Sequence, residues 1–273
     1  LSTSATLAAG LQQAFRSDGM SKPLHSAHAA EIGVMSAMVA AKGVTGALDV
    51  LEGPVGMGMA MSGSADWTKA TAGLSKTYNI EAITFKNHGC CGHTFAAIDG
   101  LLALMTSAEI MAHEVTKIDI ATYGPAVSVT DRPDPQTPQE CKFSMQYVIA
   151  HAAYFGSVRI DAFEEMRMKD QEIRALMPKI SLTLDQQIDD QFPVRRAARV
   201  SVTSKAGGVF IHDQHTRKGD PDLPLSDEEL NEKFVELTLP VLGTDSTDKL
   251  LKNLWLLDQI DLSACLAYAA QTE

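Results

Sequence analysis

Apolar side chains recur along this chain with two periods, and the elements they predict fall in the order helices, mixed helices and strands, helices. Residues 2–15 place Leu7, Leu11 and Phe15 on one helical face, with Gly10 weakening the helix only slightly and Ser17, Asp18 and Gly19 ending it. From Ser21 to Gly43, small and apolar residues such as Ala30, Ile32, Val34, Ala37 and Met38 run almost right round a second helix. Such a helix is expected to be buried among neighbours, and Gly43 is a good stop. Leu48–Glu52 is a short element, the Gly/Met-rich run after it a loop, and Asp66–Leu74 a short helix. Tyr78–Phe85 is β-rich, whereas Phe95, Ile98, Leu101, Leu102 and Met105 return to helical spacing.

Strict alternation in Val115–Thr122 predicts a strand. The Pro/Asp-rich stretch Pro125–Pro138 predicts a loop, and Gln139–Phe155 a helix that carries His151 as an interior residue. After a short helix at Asp170–Met177, strands are expected at Lys179–Leu184, Ala197–Thr203 and Val209–Thr216. Lys205–Gly208 makes a hairpin turn between the last two. Arg195, Arg196 and Arg199 then read as a solvated strand edge. Ser226 followed by Glu229 is a helix-capping signature, and two further helices are expected at Thr247–Leu257 and Leu262–Ala269.

The chemistry concentrates where the β-rich stretch meets the helix, in FKNHGCCGHTFAAIDG from Phe85 to Gly100. Lys86, His88, Cys90, Cys91, His93 and Thr94 stand within nine residues there, and Gly89 and Gly92 let the backbone bend. Thr94 is a fair N-cap, and His93 an alternative one. Free N–H groups at a helix start favour anions, and histidines move protons near neutral pH. A tight turn around a buried thiol is the plainer reading. Zinc competes, but adjacent Cys90 and Cys91 suit one metal badly and no second ligand pair follows, so no metal is expected. A vicinal disulfide would be strained. Lys22, His25 and His28 mark the entrance to the second helix, His28 as a capping or solvated residue.

The 273 residues suffice for one large or two modest domains, and 45% hydrophobic and 21% charged residues are ordinary for a globular protein. A net charge of −11 argues against nucleic acid or anionic membrane as partner, but not against a small anion held at a local cationic site. Four Cys without a disulfide pattern point to a reducing, cytoplasmic compartment, and no apolar run reaches membrane-spanning length. The first residue is Leu, so the chain is expected to continue a longer one.

SKPLH-x2-HAA at 21–30, FKNHGCCGHTFAAID at 85–99, the KFSMQY helix near 142–147 and KGDPDLP-LSDEEL at 218–230 together resemble the MmgE/PrpD family. The likeness follows the family's order over nearly the whole chain. It implies an α+β fold: a mainly helical domain formed by both chain ends (1–75 and 217–273) around a smaller inserted α/β domain (76–216). It implies cofactor-independent chemistry on small polycarboxylates, of the dehydratase type, with epimerase, isomerase or decarboxylase, or a non-catalytic subunit, as alternatives. Lys22 and Lys86 fall on family active-site lysines. His88, with His25 or His93 behind it, is then the proton-transferring group; Cys91 and Thr94 join His25 in binding substrate. Cys91 and Val129 stand roughly where the decarboxylase branch has a histidine and a tyrosine, which argues against decarboxylation. The resemblance also implies a homodimer and an N-terminal helical region without a counterpart here, so the chain alone is expected to expose apolar surface.

Overall fold

The computed structural model describes residues 1–15, 21–261 and 263. Its centre is a four-stranded mixed sheet in the order β2-β1-β3-β4, with β1 Val115–Thr122, β2 Ile180–Leu184, β3 Ala198–Ser204 and β4 Val209–Gln214. β1 runs parallel to β2 and antiparallel to β3, and β3 and β4 form the expected hairpin. Alternation in β1 puts Ile118 and Ile120 on the buried face, where they pair in register with Val202 and Val200 of β3. The helices Phe95–Ser107 and Met145–Phe155 pack against it in the core, through Phe95, Ile98, Leu101, Tyr147 and Ile149. Gly100 lets the first of them lie close on the sheet: a Cβ there would sit 3.2 Å from Val200. With helices toward both ends and the sheet between them, the chain has the α+β fold.

Several local expectations give way to stronger effects. Tyr78–Phe85 is not a strand; it contains a 3-10 turn at Asn79–Ala82 and an extended segment outside the sheet. β propensity needs a partner edge, and among the described residues the backbone bond from this segment to another part of the chain is that from the Phe85 N–H to the Gly219 carbonyl at 2.9 Å. The first helix spans only Ser2–Thr6, and Gly10, at φ +137, lies in the break between it and a 3-10 turn at Gln12–Phe15. Asp66–Leu74 shrinks to a 3-10 turn at Trp67–Lys69 capped by Asp66. Within the expected loop, Gly124–Thr130 is helical, since Pro125 falls in the first turn, where its missing N–H costs nothing. The helix expected from Gln139 is two, Pro138–Cys141 and Met145–Phe155, each started by its own hydroxyl cap, Thr137 and Ser144. Ser226 and Glu229 do form a capping box, opening the helix Asp227–Trp255, which bends at Gly243 (φ 70). The helix expected at Leu262–Ala269 and the break at Ser17–Gly19 lie outside the described residues.

Lys22–Ala41 is helical as expected, but it is not buried: only Ser36 is enclosed, while Leu24, Val34 and Met38 are 64%, 63% and 65% exposed. The physical reason is that the tight core forms between the sheet and the two central helices, leaving this helix few neighbours. Among the described residues no helix is long and apolar enough to cross a membrane.

Candidate functional site

The Lys86–Thr94 loop is pinned to the core by backbone bonds along its length. Besides the Phe85 bond, the Gly89 N–H donates to the Val158 carbonyl and the Cys91 N–H to the Lys142 carbonyl, each at 2.9 Å. Gly219 is required opposite Phe85, for it takes φ +97 and a Cβ would lie 2.0 Å from the Phe85 carbonyl oxygen. The Lys233 ammonium donates to the Lys86 carbonyl and completes the clamp. Side chains on this loop are thereby aimed in fixed directions.

Four of the expected residues meet in one cleft of about 460 Å³: Lys22 and His25 from the first turn of their helix, with Lys86 and Cys91 from the loop. Lys142 completes it, carried by the turn between the two capped helices. The ammonium groups are braced over rings, Lys22 over Phe143 at 5.5 Å, Lys86 over Phe95 at 5.7 Å and Lys142 over Phe163 at 5.4 Å to the centroids. Burial raises the Cys91 pKa, so this residue stands in the wall as a neutral thiol at pH 7.

His93 lies beyond Cys91, in an adjoining lobe of about 280 Å³ that shares Lys22, Cys91 and Phe143 with the first. Its Nδ1 is 2.8 Å from the Tyr123 hydroxyl. Burial, with the nearby charges of Arg196, Arg217 and Lys22, pushes its pKa down to about 4, so the ring is neutral at pH 7. Tyr123, raised by burial, keeps its proton. Val129 and Arg196 line the same lobe.

His88 points elsewhere. It lines a separate cavity of about 220 Å³ with Lys86, Arg159, Lys233 and Glu236, while its Nε2 sits 2.9 Å from Asp99 Oδ1. Asp99 accepts the Lys218 N–H on its other oxygen at 2.8 Å. A carboxylate only accepts, so Nε2 carries the proton, and Nδ1 is buried without a partner among the described residues. The pair therefore braces the loop against the helix. Thr94 also turns inward: fully buried, it donates to the Cys91 carbonyl at 2.8 Å and contacts Cys90 Sγ at 3.2 Å. Cys90 is buried with its thiol pushed up to about 12, chiefly by desolvation. The four metal-ligand types of this loop thus diverge, and among the described residues no three His, Cys, Asp or Glu are grouped to hold a metal ion. His28 lies in the second turn of its helix, lining a pocket with Leu1 and Ile32, and His151 is interior, its Nδ1 2.8 Å from the Ser157 carbonyl.

Sequence reading missed Lys142 and Arg196. Lys142 left no signal, for nothing local marks the turn that carries it to Cys91. Arg196 left one, the run of three arginines, but the expected strand edge is not there: Arg199 lies on β3, inside the sheet, and pairs across to Asp213 of β4 at 2.6 Å.

Fold and cleft define an α+β protein that sets three lysines, a histidine and a thiol around one small cationic space. Family models carry the assignment further: the MmgE/PrpD N-terminal domain matches residues 1–70, and the C-terminal domain matches residues 88–257. The chain belongs to the MmgE/PrpD family. Residues 1–70 thus match the family's N-terminal domain. Similar curated proteins include cis-aconitate decarboxylase of Homo sapiens, 27% identical over 236 residues, which make up 85% of this chain and 49% of that protein. The Mus musculus cis-aconitate decarboxylase is 24% identical over 84% of this chain and 48% of its own. The cis-aconitate decarboxylase-like protein oryM of Aspergillus oryzae is 23% identical over 96% and 57%. The chain spans about half the length of the curated relatives it matches.

Proposed function

We propose that this protein is a cofactor-independent lyase that removes a proton next to a carboxylate of a small polycarboxylate, in a dehydratase-type reaction on a methylcitrate-like acid. The observation that carries this reading is the convergence of Lys22, Lys86 and Lys142 with His25 and Cys91 on one cleft. Taking a proton from such a carbon leaves charge on the neighbouring carboxylate. Fixed cations stabilise that charge because they need no reorganisation when it develops. Lys22 and Lys86 hold the carboxylates, Lys142 adds to the field, and His25 takes the proton from carbon and passes it to the hydroxyl that leaves the adjacent carbon as water, so that a C=C bond replaces the broken C–H and C–O bonds. His88, the first choice from sequence, braces the loop instead. Reaction without net decarboxylation is supported by Cys91 and Val129, the two departures from the decarboxylase pattern, which line the same lobe of the cleft.

The relatives' names favour a second reading, decarboxylation of a tricarboxylate. Incubating the protein with a panel of tricarboxylates in deuterated water separates the readings. Loss of water from the acid is the expected result; release of carbon dioxide would replace it with the decarboxylase reading. Deuterium incorporation without net change would mark an epimerase, and no reaction on any acid would mark a non-catalytic subunit.

A further inference from the structure

The second lobe carries a cation that the proposed chemistry has not used. Arg196 lies on the segment leading into β3 and lines the lobe together with Lys22. An aromatic platform sets its position: Tyr123 and Phe192 stack at 4.8 Å with 14° between planes, and the Arg196 guanidinium lies 5.8 Å from the Phe192 centroid. Two nearby arginines are ion-paired, Arg199 with Asp213 and Asp185 and Arg217 with Asp220. Arg196 is half-buried, and among the described residues no carboxylate stands within ion-pair distance of it. Apart from Lys22, the other polar group of the wall is the neutral ring of His93, whose Nδ1 is engaged by Tyr123. Val129, Phe143, Gly92 and Cys91 make up the remainder, so among the described residues none lining the lobe supplies negative charge. A half-buried guanidinium presents donors in a fork that matches a carboxylate.

We propose that the two lobes are one binding site with Lys22 at its waist, and that Arg196 receives a second, distal carboxylate of the substrate. On the reading given above, the proximal carboxylate lies with Lys22 and Lys86, and the carbon chain crosses past Cys91. Arg196 is then a specificity-determining residue: it selects acids with carboxylates at both ends of a short carbon chain over those with one.

The test is binding of tricarballylate, glutarate and butyrate, followed by calorimetry or NMR, to the wild-type protein and to Arg196→Gln. Glutarate and butyrate differ by one terminal carboxylate. The wild type is expected to prefer tricarballylate and glutarate to butyrate. Arg196→Gln should lose about 10- to 100-fold in affinity for both polyacids, the scale of one charge-assisted hydrogen bond, and nothing for butyrate. Arg196→Lys, which keeps the charge, should recover part of the loss, and thermal melting should show both variants folded. Equal losses for glutarate and butyrate, or none for either, would overturn the role of Arg196 while leaving the polycarboxylate reading intact. A wild-type protein that binds none of the three would overturn both.

Discussion

Replacing Lys86 by Met removes a charge while keeping most of a side chain, so its effects on fold and on rate can be separated. The stem of Lys86 lies over the Phe95 ring, and the charge is 5.7 Å from the ring centroid. Losing that contact costs about 0.5–1 kcal/mol of stability. The path of the loop should not change, because Phe85, Gly89, Cys91 and the Lys86 carbonyl are held through backbone atoms. The catalytic cost is larger. A cation about 4 Å from developing charge contributes roughly 4 kcal/mol at an effective dielectric of about 20. Loss of one preorganised charge-stabilising group lowers the rate constant by about 100- to 1,000-fold. Lys86→Met should therefore melt within a few degrees of the wild type and turn over at most about one hundredth as fast. Circular dichroism and NMR detection of product from the tricarboxylate panel read the two quantities. A folded variant with most of its activity would remove Lys86 from the mechanism.

Gly219→Ala should destabilise the protein by about 1–3 kcal/mol and lower turnover as well, since its Cβ would collide with the carbonyl that positions the loop; unchanged melting and kinetics would contradict this. Ile120→Ala, at a fully buried position of the sheet, should cost about 2–5 kcal/mol in urea denaturation without changing ligand affinity in the folded protein. His93 has a folded pKa of about 4 against 6.5 for the free group, so the unfolded chain binds its proton first as pH falls. The His93 contribution should thus cost stability progressively as pH drops from about 6.5 to about 4, and His93→Gln should flatten that part of the stability–pH curve; an unaltered slope would contradict its burial as a neutral ring. The apolar side chains exposed on Lys22–Ala41 predict self-association with binding of a hydrophobic dye, and a monodisperse, dye-silent sample would contradict that.

Sequence pattern was informative where burial is one-sided and local. Ile118 and Ile120 mark β1 because a period of two is forced when one face packs on helices, and Ser226 with Glu229 marks a helix start because the cap lies within one turn. The loop from Lys86 to Thr94 was legible as a place of chemistry from its residue types. Which residues face substrate was not, because that depends on distant partners: His88 is turned away by Asp99, Thr94 by the Cys91 carbonyl, and Lys142 is brought in by a bond to Cys91. Apolar pattern also misled. It makes the Lys22–Ala41 helix look like core, and a sequence carries no mark of whether neighbours stand beside it. The backbone choice at Gly10 was equally silent, since a glycine in a helical pattern reads the same whether it continues the helix or not, whereas the break at Gly243 falls between the helix capped by Ser226 and the separate one expected from Thr247.

The most direct measurement is a crystal structure of the protein soaked with tricarballylate. The account predicts density in the cleft lined by Lys22, His25, Lys86 and Cys91, with carboxylate oxygens about 3 Å from the Lys22 and Lys86 ammonium groups. Ligand held instead by Arg159, Lys233 and His88 in the neighbouring cavity, with the Lys22 cleft empty, would contradict it.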